Sequence, residues 1–217
     1  MKRKGSVLIV LGVLLIAAAL GLVCYNLMEQ TAAAEASEQA LVFLDAQIPA
    51  VEAEQPVSEP PEQDVPPVLP DYSEIEIPDY ILNPDMEMPV LTYEGQDYIG
   101  TLSLPTLGLE LPVLSQWSYE GLKTAPCRYT GSAYQNNLVL MAHNYTSHFR
   151  TLSDIREGDP VLFTDADGNC FSYQVAVTET LIPTAIEEMT DSGWDLTLFT
   201  CTTGGSYRFT VRCQLIG

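Results

Sequence analysis

A cysteine, a histidine and an arginine in the C-terminal half of this chain have the types and settings needed for acyl transfer. Cys201 closes the run Asp195-Leu196-Thr197-Leu198-Phe199-Thr200-Cys201. Read as a strand, alternate side chains point to opposite faces, and the sulfur arrives at the strand's rim. The Gly204-Gly205 pair then reverses the chain, and Arg208 opens a returning strand in which Arg208, Thr210 and Arg212 alternate with Phe209, Val211 and Cys213. A guanidinium brought back beside a thiol lowers its pKa and can bind the oxygen of a tetrahedral intermediate. Arg212 shares the strand face of Arg208 and competes with it for that role. His143 ends a second apolar strand, Asn137-Leu138-Val139-Leu140-Met141-Ala142. Imidazole, with an unperturbed pKa of about 6.5, can both take and release a proton at working pH. The second histidine of the chain, His148, lies in a loop or helix start and reads as a surface residue. Taken alone, Cys201 and Arg208 read equally well as a strand-end cysteine beside a surface arginine.

The elements that must position these residues are short and β-rich. Strands are expected at 98–104, 109–114, 137–142, 160–164, 170–178, 194–201 and 208–216, with turn residues between them. Asp167-Gly168-Asn169 reads as a hairpin turn. Asp165 and Asp167 lack the further spaced ligands of a calcium loop, so the turn reading is preferred. The helical signals within this part are 147–156 and 185–190. Seven or eight short strands with few helices predict a small closed barrel or a sandwich, spanning 93–217.

Charge and hydropathy divide the rest of the chain. Twenty-nine acids against nine bases give a net charge of −20, and no Lys or Arg occurs from Gly5 to Leu122. Such a surface repels phosphate backbones, which sets nucleic acid aside as a partner. Residues 1–5 form a basic tail and 6–28 an apolar span long enough to cross a bilayer. Lys2, Arg3 and Lys4 before the span predict a cytoplasmic N-terminus and an extracellular remainder at the cell membrane. The competing reading is a cleaved signal peptide with Ala32-Ala33-Ala34 as its processing site. Residues 29–92 read as an acidic, Pro-rich extracellular linker; 29–47 could prolong the helix, with Leu41, Val42, Phe43 and Leu44 a weak core signal. Cys127, Cys170, Cys201 and Cys213 have no metal-site spacing, so no metal is expected, while export permits disulfides.

The part from 93 to 216 resembles the sortases. Thr197-Leu198-Phe199-Thr200-Cys201 is similar to that family's nucleophile motif, Arg208 to the arginine opening its next strand, and His143 to its histidine, although Ala142 stands where Gly is common. Tyr98-Ile99-Gly100-Thr101-Leu102-Ser103-Leu104-Pro105, Leu111-Pro112-Val113 and Phe149-Arg150-Thr151-Leu152 are similar to further family segments. The resemblance implies a mainly β fold, a closed eight-stranded barrel with one or two short helices, preceded by a transmembrane helix and a disordered linker. It implies a cysteine transpeptidase of Gram-positive type, with His143, Cys201 and Arg208 catalytic, Thr200 a further substrate contact, and no cofactor. The expected partners are surface proteins bearing a Leu-Pro-x-Thr-Gly-like sorting signal, joined to a peptidoglycan-precursor or pilin amine. The stretch 107–112 and the surroundings of Trp117 look closest to the class B side. The absence of a second span after Gly217 disfavours the pilin-polymerising subgroup. Two rivals stand beside this reading. One is another Cys-dependent cell-wall transpeptidase, whose Ser-His-Gly-Cys-x-Arg signature Cys201 does not match; the other is a non-catalytic exported adhesion or scaffold module.

Overall fold

The computed structural model describes residues 2–49 and 77–216. Helix α1 (Lys2–Gln47) is followed, beyond the described gap, by the short α2 (Asp79–Leu82). Nine strands come next: β1 (Leu91–Tyr93), β2 (Gln96–Leu104), β3 (Leu109–Leu114), β4 (Cys127–Thr130), β5 (Leu138–Ala142), β6 (Pro160–Asp165), β7 (Cys170–Leu181), β8 (Leu196–Cys201) and β9 (Arg208–Leu215). A third helix, α3 (Ile186–Thr190), lies between β7 and β8. The strands follow the order β1-β2-β3-β4-β5-β8-β9-β7-β6, and β6 pairs back onto β2. Eight strands therefore close into a barrel, with β1 added beside the first half of β2.

Closure depends on Gly100. It faces Asp165 across the β2–β6 seam with φ +148, and a Cβ there would stand 1.9 Å from the Thr164 carbonyl oxygen. Only a residue lacking Cβ lets the two backbones meet at that point. Inside, Leu102, Leu138, Leu140, Phe163, Tyr173 and Leu198 form a fully buried core. The hairpin joining β6 and β7 falls at the expected Asp167-Gly168-Asn169 turn. Asp165 anchors it: its carboxylate accepts from Tyr134 Oη and from the Asp167 and Asn169 amides.

Strand expectations hold closely at β2, β3, β5, β6, β7, β8 and β9. β1 and β4 were not expected; β4 has four residues between Pro126 and Gly131, too short for alternation to show. The helix expected over 147–156 is a 3-10 turn, Arg150–Asp154.

The larger correction concerns 29–92. Residues 29–47 are the second half of α1, and Ala33, Ser37, Ala40 and Leu44 are buried on one helical stripe against the barrel. Ala40 and Leu44 pack with Tyr98, Leu114, Leu122 and Cys127, and the Phe43 ring stacks on Tyr93 at 4.8 Å. Small residues at the stripe let the helix approach closely, and they are what hid the stripe in a search for large apolar side chains. Residues 77–92 also belong to the folded unit: Tyr80 stacks on Tyr134 at 4.7 Å, and Met88 enters the main core. The disorder expected of the linker's middle falls on 50–76, outside the described residues.

Candidate active site

Register delivers three side chains to one rim. β5 and β8 run parallel with Ala142 beside Thr200, so His143 and Cys201 are the next residues of two adjacent strands. β8 and β9 run antiparallel with Cys201 directly opposite Arg208. Facing follows from alternation. Leu138, Leu140 and Ala142 on β5, with Leu196 and Leu198 on β8, point into the barrel. Val139 and Phe199 belong to a separate outer cluster against which Met141 packs. His143, Cys201 and Arg208 continue that outward series.

Thr200 faces the other way and is buried; its hydroxyl donates to the Ala142 carbonyl at 2.9 Å. That bond ties the ends of β5 and β8 together one residue short of His143 and Cys201. Of the backbone or hydroxyl contact with substrate expected of Thr200, the hydroxyl hydrogen is committed within the fold.

The two arginines of β9 have separate surroundings. Arg212 is 1% exposed, and its guanidinium donates to Glu179 Oε1 at 2.7 Å, Thr197 Oγ1 at 2.9 Å, Ser192 Oγ at 3.1 Å and the Met189 and Glu188 carbonyls. It clips α3 and the turn after it onto the sheet, which occupies its donors. Arg208 is half-buried and donates through Nη1 to the Gly205 and Tyr207 carbonyls, both at 3.2 Å, within the β8–β9 turn. Among the described residues, the other guanidinium nitrogens of Arg208 have no hydrogen-bond partner.

His143 is half-buried, and that burial lowers its pKa below 6.5; Glu29 opposes the shift and Lys123 adds to it. Its ring is 4.8 Å from that of Tyr145, which is 5.5 Å from His148. The surface reading of His148 is overturned. This residue is completely buried and sits behind the His143 loop, its pKa lowered to about 4 by burial first of all. His148 precedes the 3-10 turn that was expected as helix, and the Tyr145 ring lies against it.

Two hollows lie at this rim, one reaching Cys201 and the other Arg208. A cavity of about 570 Å³ is lined by Cys201, Thr202 and Phe209 on one side and Asn144, Phe149 and Arg150 on the other. An apolar groove of about 140 Å³ lies over Met141 and Phe199, walled by Ile182, Ile186 and Met189, with Arg208 at its edge. These groove residues escaped the search for chemistry-bearing side chains. Their signal was present, since β5 and β8 are apolar on both faces and so require cover on the outside as well.

The other thiols are set apart by burial. Cys127 and Cys213 are buried free thiols, each with its pKa pushed up to about 12, whereas Cys201 reaches the cavity. Cys170 is exposed at the start of β7, the opposite end of the barrel from Cys201.

A closed barrel carrying a thiol, an imidazole and a guanidinium on one rim defines a thiol-dependent acyl-transfer enzyme. The Sortase domain family matches residues 102–216, and the chain belongs to the sortase family. It is 28% identical over 155 residues to sortase A of Bacillus anthracis, a match covering 68% of this chain and 71% of that protein. Among solved structures, sortase C1 of Streptococcus agalactiae is similar at 25% identity and a TM-score of 0.50, covering 58% of this chain and 70% of that one. A sortase D5 transpeptidase of Clostridium perfringens shares the fold at 21% identity and a TM-score of 0.50, over 56% of this chain and 80% of that one. The protein is thus a cysteine transpeptidase of the kind that attaches proteins to the cell wall or to pilins.

Proposed function

We propose that Cys201, His143 and Arg208 together cleave a Leu-Pro-x-Thr-Gly-like sorting signal and pass the acyl group to an amine outside the membrane. The observation that carries this reading is the register pairing of Cys201 with Arg208, next to the parallel β5 strand that ends at His143. The Cys201 sulfur forms a bond to the carbonyl carbon before the scissile peptide bond as its thiol proton passes to His143. Arg208 receives the resulting oxyanion through the guanidinium hydrogens not held by the turn. When the C–N bond breaks, His143 gives a proton to the departing amine, leaving a thioester on Cys201. An incoming amine attacks that thioester and loses a proton to His143, and the sulfur departs as thiolate. The groove over Met141 and Phe199 is apolar and adjoins Arg208, which suits the Leu and Pro of the signal. The cavity lined by Cys201 leaves room for the leaving and entering amines. Thr200 acts by positioning, since its hydroxyl joins the two strands that carry His143 and Cys201.

The span, whose apolar side chains from Leu8 to Met28 are exposed, is read as a retained single-pass anchor with its N-terminus in the cytoplasm. Ala33 supports retention. It lies in the middle of α1 and is 2% exposed beneath the barrel, where a processing enzyme would need an extended, open segment.

Incubation of the full chain with fluorogenic sorting peptides tests the assignment. The parent cleaves a Leu-Pro-x-Thr-Gly-like peptide, Cys201→Ala does not, and addition of an amine diverts the product from acid to amide. Cleavage by Cys201→Ala at the parent's rate would refute the nucleophile.

A further inference from the structure

The cavity that reaches Cys201 has a charge balance opposite to that of the chain. Against a net charge of −20, no carboxylate lines it among the described residues, and Arg150 is the cation on its wall. Each other Lys or Arg of 77–216 already holds a partner: Arg212 and Lys123 a carboxylate, Arg128, Arg156 and Arg208 backbone carbonyls. Arg150 is exposed, and among the described residues its guanidinium makes no hydrogen bond or ion pair.

The backbone that carries this guanidinium is fixed. Arg150 opens the 3-10 turn, and its amide donates to the Tyr145 carbonyl at 3.1 Å while the Phe149 amide donates to the His143 carbonyl at 3.3 Å. These bonds close the loop that begins at His143, and the fully buried Phe149 pins it to the main core. On the other wall, the Thr202 amide donates to the Tyr207 carbonyl at 3.0 Å, and its hydroxyl accepts from the Tyr207 amide at 3.2 Å. A side chain on so set a wall meets a ligand without first giving up a partner. Asn144 lines the same cavity, and its Oδ1 is buried without a hydrogen-bond partner among the described residues. An N–H brought in by the occupant satisfies such an acceptor.

On the transpeptidase reading above, the Leu and Pro of the signal lie beside Arg208, and the chain beyond the scissile bond enters this cavity. Gly, the first residue past that bond, has no side chain, so the residue after it is the first whose side chain can be read. The charge of the whole chain repels acidic peptides at long range. A preference for an acid at this one position therefore requires a local cation.

We propose that Arg150 makes this cavity a carboxylate subsite, which takes an acidic side chain on the residue following the Gly and steadies the departing segment while the thioester forms. The inference rests on the transpeptidase reading for the direction in which the peptide runs.

The test uses the full chain in uncharged detergent micelles and two amidated fluorogenic sorting peptides that differ only in Glu or Gln after the Gly, with no amine added. The parent should cleave the Glu peptide with a kcat/KM about threefold higher, the scale of a solvent-exposed ion pair. That ratio should fall toward one at about 0.5 M NaCl, where the pair is screened. In Arg150→Gln the ratio should be one or lower, and Arg150→Lys should keep part of the preference. Arg156→Gln removes the same charge outside the cavity and should keep the parent's ratio. A parent ratio of one, or an equal fall in Arg156→Gln, overturns the subsite. Failure of the parent to cleave either peptide would refute the transpeptidase reading, and binding of the two peptides to Cys201→Ala then decides the subsite by itself. A Kd about threefold lower for the Glu peptide supports it; equal affinity or no binding overturns it.

Discussion

At the residue scale, the division of labour between Arg208 and Arg212 follows from what each guanidinium already holds. Arg208 is tied by one nitrogen to its own turn, whereas Arg212 is saturated by Glu179, Thr197, Ser192 and two carbonyls. Arg208→Ala should therefore lower kcat by about 10²- to 10³-fold with little change in Tm, as for the loss of an oxyanion donor. Arg212→Ala leaves Glu179 and several buried acceptors without a partner, and should cost about 3 kcal/mol of stability; thermal denaturation separates the two effects. Thr200→Val removes one hydroxyl bond and should cost about 1 kcal/mol. If Thr200 positions the pair, kcat falls while KM for the sorting peptide is unchanged; a rise in KM alone would restore it as a substrate contact. His148 makes a pH prediction. Its pKa is about 4 in the fold against 6.5 free, so the unfolded chain binds more protons between those values. Stability from this group is full above pH 6.5 and is lost as pH falls toward 4, by about 3 kcal/mol at most. His148→Gln should flatten that part of a Tm–pH profile, although it carries its own cost in a buried site.

At the scale of elements, the candidate active site is set by the ends of three strands, with Cys201 and Arg208 on paired strands and His143 just beyond β5. The parallel pairing of β5 with β8 and the antiparallel return of β9 set the spacing, and the Thr200 to Ala142 bond locks the first pair at its end. Closure at the β2–β6 seam holds the whole in register. Gly100→Ala would place a methyl 1.9 Å from a carbonyl oxygen in a backbone conformation that L residues rarely adopt. It should lower stability by more than about 2 kcal/mol, and a denaturation midpoint equal to the parent's would show that the seam is looser than described. α3 serves the site differently, since Met189 and Ile186 wall the groove while Arg212 pins the helix from beneath.

At the scale of the molecule, the second half of α1 packs on the barrel as part of one folded unit. The stripe on α1 buries Leu44 completely, and Leu44→Ala should cost about 2 to 5 kcal/mol where the helix stays docked. A smaller loss, with unchanged turnover on soluble peptide, would mean that the helix separates readily from the barrel. Burial lowers the His143 pKa, so the imidazole that must accept a proton remains neutral to below pH 6.5. The acid limb of kcat/KM is accordingly expected below 6.5; a limb above it would point to a protonated His143 in the resting enzyme.

Much of this was legible in the chain itself. The motif around Cys201, the alternation after Arg208 and the apolar strand before His143 are local patterns, as are the β-rich period and the uncharged span. Local patterns report local conformation, and a cysteine at a strand end followed by a Gly-Gly turn carries its own geometry. What the sequence could not decide depends on which surfaces meet. Ala33, Ser37 and Ala40 look like solvated helix until the barrel is set against them, His148 looks exposed until the fold buries it completely, and Arg208 and Arg212 look equivalent until α3 consumes the donors of one. Burial is a property of distant segments brought together, and tertiary packing alone supplies it.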